Sequence, residues 1–316
     1  MIDRRSPGLM ARALCAACVL AAAPLRAQEV SDADLQRRAN AILTLMGLSL
    51  TPDVTTGALS ISDQSTGNPY FRQTSISGGG RTSKSIPLYL EGTLAYGRYD
   101  PTFAASDGQD PLLIPVRWQS LLGTLGAGWD FPIARDLVLR PIFNLSLGRV
   151  ESEGTVAPAA VPAPGSRAAL EFLGNGRLNA YGVGGSLMLD YERYRPENEI
   201  DLELRYSRIH LQSFDSSQAV EGHATAQTFS LWSRYRAPSG FSALERPLRY
   251  VLEYAYSRFL GDLEGALGFV DVHSFGLGLE LDSSNLDAYV TRTRLLARYK
   301  VGNNVVGWAL GLGVSF

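Results

Sequence analysis

Val305-Val306-Gly307-Trp308-Ala309-Leu310-Gly311-Leu312-Gly313-Val314-Ser315-Phe316 is the stretch whose reading decides the fold. From Val306 on, its even positions are apolar: Val306, Trp308, Leu310, Leu312, Val314 and Phe316. The odd positions between them are Gly307, Ala309, Gly311, Gly313 and Ser315. Successive side chains of a strand point to opposite faces, so this segment has one wholly apolar face and one face of very small residues. A soluble strand sets polar groups against its apolar face. Here the second face is merely small, which suits a crowded barrel interior, while the first suits hydrocarbon.

Working back from there, the stretch Tyr289 to Val301 carries Arg292, Arg294, Arg298 and Lys300 on even positions. Tyr289, Thr291, Thr293, Leu295, Ala297 and Tyr299 fill its odd ones. Alternation alone does not say which face is outside. The remaining strands do, because several set Gly, Ser, Ala and Thr, instead of solvated charge, against their apolar row. Examples are Leu121, Leu125, Ala127, Trp129 and Phe131 against Ser120, Thr124, Gly126, Gly128 and Asp130. Aromatic rings fall near strand ends, at Trp129, Phe131, Tyr191, Tyr235, Tyr250 and Trp308, as at the two interfaces of a membrane. The arginines of 289–301 then belong in the lumen. A one-residue slip would turn Arg292, Arg294 and Arg298 toward lipid at roughly 2–4 kcal/mol for each one near the midplane, so side-chain pattern sets register.

The same period of two marks ten strands between Ser85 and Phe316. Their outward rows begin with Ile86, Leu88, Leu90, Leu94 and Tyr96, against inward Tyr89 and Glu91, and end with the C-terminal strand. Pro141 sits on the outward row of Leu137–Leu147 and lacks an N–H, which predicts a bulge there. Two further segments, Val54–Ser62 and Tyr70–Ser77, are polar on both faces. With them the count is twelve, the even number a single-chain bacterial barrel needs; ten with an extended N-terminal segment is the alternative. Connections alternate in length. Phe131–Asp136, Glu192–Asn198 and Asp282–Asp287 are short, and Ala237–Pro247 is somewhat longer. Tyr99–Leu113, Glu151–Leu178 and Ser213–Gly222 are mostly longer and rich in Gly, Pro, Ser and Ala. The short set reads as periplasmic turns and the long set as outer loops, with Val301–Asn304 a tight outer turn and the C-terminus periplasmic. The expected fold is all-β: a closed antiparallel transmembrane barrel of about twelve strands over residues 49–316.

The N-terminus adds two elements. Arg4, Arg5 and Arg12, then the apolar Ala13–Ala23 and Leu25-Arg26-Ala27, read as a secretory signal peptide over residues 1–27. Cys15 and Cys18 are the two cysteines, and both lie inside it, which leaves no thiol for a disulfide, metal site or nucleophile. The chain has 29 basic and 31 acidic residues; cleavage removes four and one, leaving 25 and 30, a net charge of −5. This near-neutral balance gives no case for nucleic acid, and no cofactor or metal is implied. Ser31 as a cap, acidic Asp32 and Asp34, and Leu35, Ile42, Leu43 and Met46 up to Gly47 predict a short amphipathic helix within residues 28–48. It is read either as a plug in the bore or as a periplasmic stub. With 32 Gly, 14 Tyr and no later run of ~20 apolar residues, the chain is not a helical membrane protein.

Signal, short helix, about twelve strands and a terminal aromatic together resemble the translocator domain of autotransporters, in the solitary form without a long passenger. Gly311, Val314 and Phe316 match the glycine, hydrophobic residue and terminal aromatic of that family's C-terminal assembly signal. The resemblance implies a multi-pass barrel in the outer membrane of a Gram-negative bacterium, surrounded by its lipid and assembled by the barrel-insertion machinery. Only about twenty residues separate Gln28 from the first strand, which leaves no room for a passenger.

Convergent charge is expected only in the lumen. Arg234, Arg236, Arg249, Arg292, Arg294, Arg298 and Lys300 stand mostly on the last third of the wall, and Asp130, Asp190, Asp201 and Glu203 on its middle. Opposed walls would make a transverse field and a narrow, porin-like, weakly anion-preferring pore for a small polar solute. The competing reading is that these charges pair and fill a closed, structural barrel. A lipid hydrolase is a further alternative, since twelve-stranded outer-membrane phospholipases set His and Ser on one outward face. Here His210 and Ser213, and likewise His273 and Ser274, fall on opposite faces, so the chain is expected not to be an enzyme. Gly182-Val183-Gly184-Gly185 lies within a strand and thins the wall rather than forming a nucleotide loop. Surface binding through Glu151–Leu178 is the last alternative.

Overall fold

The computed structural model describes residues 43, 57–61, 70–83, 85–100, 102–106, 111–154, 176–216, 222–264, 269–283 and 291–315. They form twelve antiparallel strands. These are β1 (Gly57–Ile61), β2 (Tyr70–Arg81), β3 (Leu88–Asp100 and Thr102–Ser106) and β4 (Pro111–Trp129 and Phe131–Ala134). Then follow β5 (Leu137–Gly154), β6 (Arg177–Tyr194), β7 (Glu199–Phe214) and β8 (His223–Ala243). The last are β9 (Arg246–Gly261), β10 (Asp271–Asp282), β11 (Arg292–Gly302) and β12 (Val305–Ser315). Each pairs with its neighbours in sequence, and β1 also pairs with β12, so the sheet returns on itself. A ring of this kind has no free edge. The two segments polar on both faces form β1 and β2 and complete twelve, which removes the ten-strand alternative. Among the described residues the closing seam sets Ala58, Leu59, Ser60 and Ile61 opposite Trp308, Gly307, Val306 and Val305.

Polarity is inside-out relative to a soluble protein. Leu94, Leu125, Phe143, Leu187, Leu252, Leu277, Leu295 and Leu310 are exposed on the outer surface, whereas Asp130, Arg140, Asn144, Glu253, Glu280 and Arg298 are buried inside. Phe143 is 54% exposed and the next residue, Asn144, 4%. That one-residue switch repeats from Pro141 to Val150, as expected for a wall with oil on one side and a packed bore on the other. The bore has two layers. Toward the ends of the strands away from the short turns it is largely apolar, with Leu122, Val150, Leu178, Ile209, Leu211 and Phe259 buried beside several serines and Lys300. Toward the short turns it is ionic.

Three local expectations are corrected. Pro141 makes no bulge: Arg140, Pro141 and Ile142 stand opposite Met188, Leu187 and Ser186 without a shift. On its other side the ladder has no pair between Gly128–Ile142 and Phe131–Leu139, and resumes in the same register. The missing N–H opens a gap in one ladder instead of inserting a residue. Ala237–Pro247 is not a longer connection. β8 runs on to Ala243 and turns through Leu244 and Glu245, both at positive φ (53° and 62°), after a register shift between Pro238 and Ser242. Tyr99–Leu113 is not simply a loop either, since Thr102–Ser106 pairs with Pro111–Pro115 and lifts the β3–β4 hairpin beyond the ring. The signal peptide, Tyr289, Phe316 and all of the N-terminal helix except Leu43 lie outside the described residues. Leu43 itself is helical and fully buried.

Candidate functional site

Near the short turns, inward positions on nearly every strand carry charge, and these side chains meet. On the β2–β6 side, Asp130 accepts from Arg81 Nε at 2.6 Å and from Arg140, whose Nη1 reaches Asp190 at 2.9 Å. The Arg140 guanidinium also lies 3.9 Å over the ring of Tyr89. Arg205 on β7 makes a two-pronged bond to Glu91 on β3, Nη1 to Oε2 at 2.9 Å and Nη2 to Oε1 at 2.6 Å. Asn144 donates to the same carboxylate at 2.9 Å. Such paired geometry is the strongest a guanidinium makes.

On the β7–β11 side, Glu199 is the hub. Arg249 Nη1 approaches it at 2.8 Å, Arg236 Nη1 at 3.1 Å and Arg292 Nη1 at 2.5 Å. Asp201 accepts from Arg236 Nη2 at 2.8 Å and lies 3.6 Å from Arg234. Glu253 holds Arg234 Nε at 2.8 Å and Arg298 Nη2 at 2.7 Å. Glu280 is wholly buried among Arg294, Arg236 and Arg292 at 3.4, 3.5 and 3.6 Å. Asp282 lies 3.2 Å from Arg249. Two of these contacts join strands four apart in the ring: Arg205–Glu91 (β7 to β3) and Arg292–Glu199 (β11 to β7). They are chords across the bore, not neighbours on one wall.

All eleven sequence-predicted lumen charges face inward. Nine of them enter the ion-pair belt directly. Glu203 is half-buried and borders a cleft of about 440 Å³ at the turn end, beside Tyr89, Asp136, Arg140 and Asp190. The expected segregation into a basic and an acidic wall is corrected. Glu253 and Glu280 stand among the arginines of β8–β11, so that side is not a wall of one sign. Sequence reasoning missed Glu199, Arg205, Glu253 and Glu280. The signal was present, because Glu199 and Arg205 share inward parity with Asp201, and Glu253 shares it with Arg249.

The small face of β12 also has its reason here. A Cβ on Gly311 would come within 2.3 Å of Arg298 Nη1, and one on Gly313 within 3.2 Å of Arg294 Nε. The arginines of β11 reach over β12 toward Glu253 and Glu280, and a methyl at either position would have to displace the guanidinium end of a flexible side chain. Of the proposed assembly residues, Gly311 therefore also borders the belt, while the side chain of Val314 lies outside the described residues. The wall glycine Gly184 is another close approach, with backbone O of Arg208 2.1 Å from where its Cβ would stand. No His–Ser pair forms among the described residues. His210 is exposed on the outer face while Ser213 is buried and donates to Gly222 O at 3.0 Å, and His273 and the buried Ser274 point to opposite sides.

No protein-family model matches the chain, and no curated protein matches it. Solved structures do. The β-domain of the Bordetella autotransporter BrkA superposes with a TM-score of 0.50 over 83% of this chain and 96% of its own, at 13% identity. The transport unit of the autotransporter AIDA-I from Escherichia coli gives a TM-score of 0.52 over 89% of this chain and 99% of its own, at 9% identity. The chain has the fold of an autotransporter translocator barrel. At this identity the likeness shown is that of the backbone fold.

Proposed function

We propose that the protein is an integral outer-membrane β-barrel of a Gram-negative bacterium whose bore is sealed, so that it serves as a structural and surface-presenting barrel rather than as an open porin. In this reading the turns at Arg135–Asp136, Arg195–Asn198 and Leu244–Glu245 face the periplasm with the C-terminus, and the β3–β4 hairpin faces the cell exterior. Insertion proceeds through the outer-membrane assembly machinery, recognising Gly311, Val314 and Phe316.

The observation that supports sealing is the pair of chords, Arg205–Glu91 and Arg292–Glu199, set in a belt of largely buried ion pairs. Taking away one partner of a buried pair costs about 3–5 kcal/mol, because the other charge is left unpaired. A solute path through this belt would have to part several pairs together. Purified protein in planar lipid bilayers, with and without residues 28–48, tests the reading. Silence in both forms is expected of the belt as seal. Conduction only after removal of residues 28–48 would move the seal to the helix, and steady conduction by the intact protein would overturn sealing altogether.

A second reading, a narrow pore, is favoured by one detail. Arg236 Nε and both Nε and Nη2 of Arg249 are buried and have no hydrogen-bond partner among the described residues. Any current that appeared would then prefer anions, and its reversal potential in a salt gradient would show it. For the hydrolase alternative the expectation is no reaction, and an esterase assay on refolded protein decides it.

A further inference from the structure

On the outer face of β7 and β8, near their loop ends, two histidines share one surface. His210 stands opposite Thr225 and His223 opposite Gln212, so the two imidazoles are diagonal neighbours across the ladder. Both side chains are exposed, and their ring centroids lie 6.0 Å apart at an interplanar angle of 38°. His210 Nδ1 lies 3.4 Å from Thr225 Oγ1, and the backbone N–H of Thr225 donates to Asp262 Oδ2 at 2.7 Å. A ring oriented through Nδ1 keeps Nε2 for another partner. Neither histidine takes part in the ion-pair belt.

The spacing is that of two ligands to one ion. A metal–nitrogen bond of about 2.0–2.1 Å puts an imidazole centroid roughly 3.2 Å from the metal. Two rings on one ion then stand roughly 4.5–6.4 Å apart, as the angle at the metal opens from a right angle to a straight line. The observed 6.0 Å falls within that span, and rotation of two exposed rings about χ2 is all that aims both nitrogens at one point. Local charge suits a cation. Asp262, Glu264 and Asp271 stand at this end of β9 and β10 against Arg208 and Arg258, and Arg258 is itself 4.0 Å from Glu264 and opposite Asp271. No set of three His, Cys, Asp or Glu ligands forms among the described residues, so the protein supplies two ligands and solvent the rest.

We propose that His210 and His223 form a cross-strand chelate for a divalent transition-metal ion, Cu²⁺, Ni²⁺ or Zn²⁺, bound through one imidazole nitrogen of each. Neutral imidazole suits these ions, whereas Mg²⁺ and Ca²⁺ take oxygen ligands. Thr225 is a positioning residue, holding the His210 ring through Nδ1. The ion ties β7 to β8 beside the last rungs of their ladder, where Gln212 stands opposite His223 and the N–H of Ser213 donates to Gly222 O at 3.0 Å. The site stands on the geometry of the wall alone and depends neither on a sealed bore nor on which way the barrel faces.

The test uses the full mature barrel without an affinity tag, stripped with chelator and titrated calorimetrically with each metal alone. One equivalent of Cu²⁺, Ni²⁺ or Zn²⁺ is expected, Cu²⁺ the tightest, with no saturable binding of Mg²⁺ or Ca²⁺. His210→Gln and His223→Gln should each weaken Cu²⁺ binding by about tenfold or more, since even groups behind the ligands are worth about 10–100-fold. The double variant should be little worse than either single one, because the chelate is already lost with the first ring. His273→Gln, on β10 with its Nδ1 3.0 Å from Tyr254 Oη, should leave the affinity unchanged. Pulsed electron paramagnetic resonance of the Cu²⁺-loaded barrel should show two coordinated imidazoles, and one in either single variant. Heat-modifiable gel mobility verifies folding, and if a variant does not fold, the imidazole count in the unaltered barrel decides. Unchanged affinity in a folded His210 or His223 variant, a single imidazole in the unaltered barrel, or an equal loss in the His273 variant overturns the proposal.

Discussion

At Gly311 an added methyl would meet the guanidinium end of Arg298, whose Nη1 lies 2.3 Å from where the Cβ would stand. Gly311→Ala should shift that flexible side-chain end and cost about 1 kcal/mol, the low end of the usual penalty for overpacking. Urea unfolding from vesicles measures it, and a double-mutant cycle with Arg298→Ala should show the two changes to be coupled. Additive costs would mean that Gly311 serves something other than this contact. Glu199 poses the opposite case, one carboxylate serving Arg236, Arg249 and Arg292. Glu199→Ala leaves Arg236, Arg249 and the half-buried Arg292 to Asp201, Asp282 and Glu280 and should cost about 3 kcal/mol, the low end for breaking a buried pair. An unchanged unfolding midpoint would mean that water, not Glu199, carries those charges. Glu199 was legible as an inward residue from parity, but its role as hub was not, because two of its partners, Arg249 and Arg292, stand on strands that do not touch β7.

The strands and turns differ in how far sequence reveals them. On β10, Leu277 is 63% exposed and its neighbours Gly276 and Gly278 face the bore, as alternation implies. Leu277→Arg should lower stability by roughly 2–4 kcal/mol if this row lies near the lipid midplane. A change of a few tenths would place the row in water and take the membrane assignment with it. Turns were less legible. Leu244 and Glu245 both adopt positive φ, a conformation usually carried by Asn or Gly, and neither residue signals it. What forces it is pairing of Ala243 with Arg246 on each side of a two-residue connection. Replacing the pair by Asn-Gly should therefore raise stability by about 1–2 kcal/mol, from the strain removed at two positions. No gain in urea resistance would count against a strained turn there.

For the molecule as a whole, closure is the feature on which bore and lipid face both depend. Among the described residues it runs through four residue pairs between β1 and β12. Because neither cysteine lies beyond residue 18, Ala58→Cys with Trp308→Cys gives a clean test. Directly opposed positions of an antiparallel pair lie within disulfide reach, so oxidation should lock the ring and preserve the fast-migrating unboiled form on gels in denaturant. Failure to crosslink in folded protein would leave the sheet open at that seam and remove the chords' reason for meeting.

By itself the sequence determined which side of each strand meets oil, the approximate number of strands and the residues that fill the bore, because a period of two is a local property of the chain. Tertiary structure alone decided which charge meets which. Arg205 with Glu91 and Arg292 with Glu199 become partners only once twelve strands are in register and the ring has closed, since that closure brings strands four apart face to face.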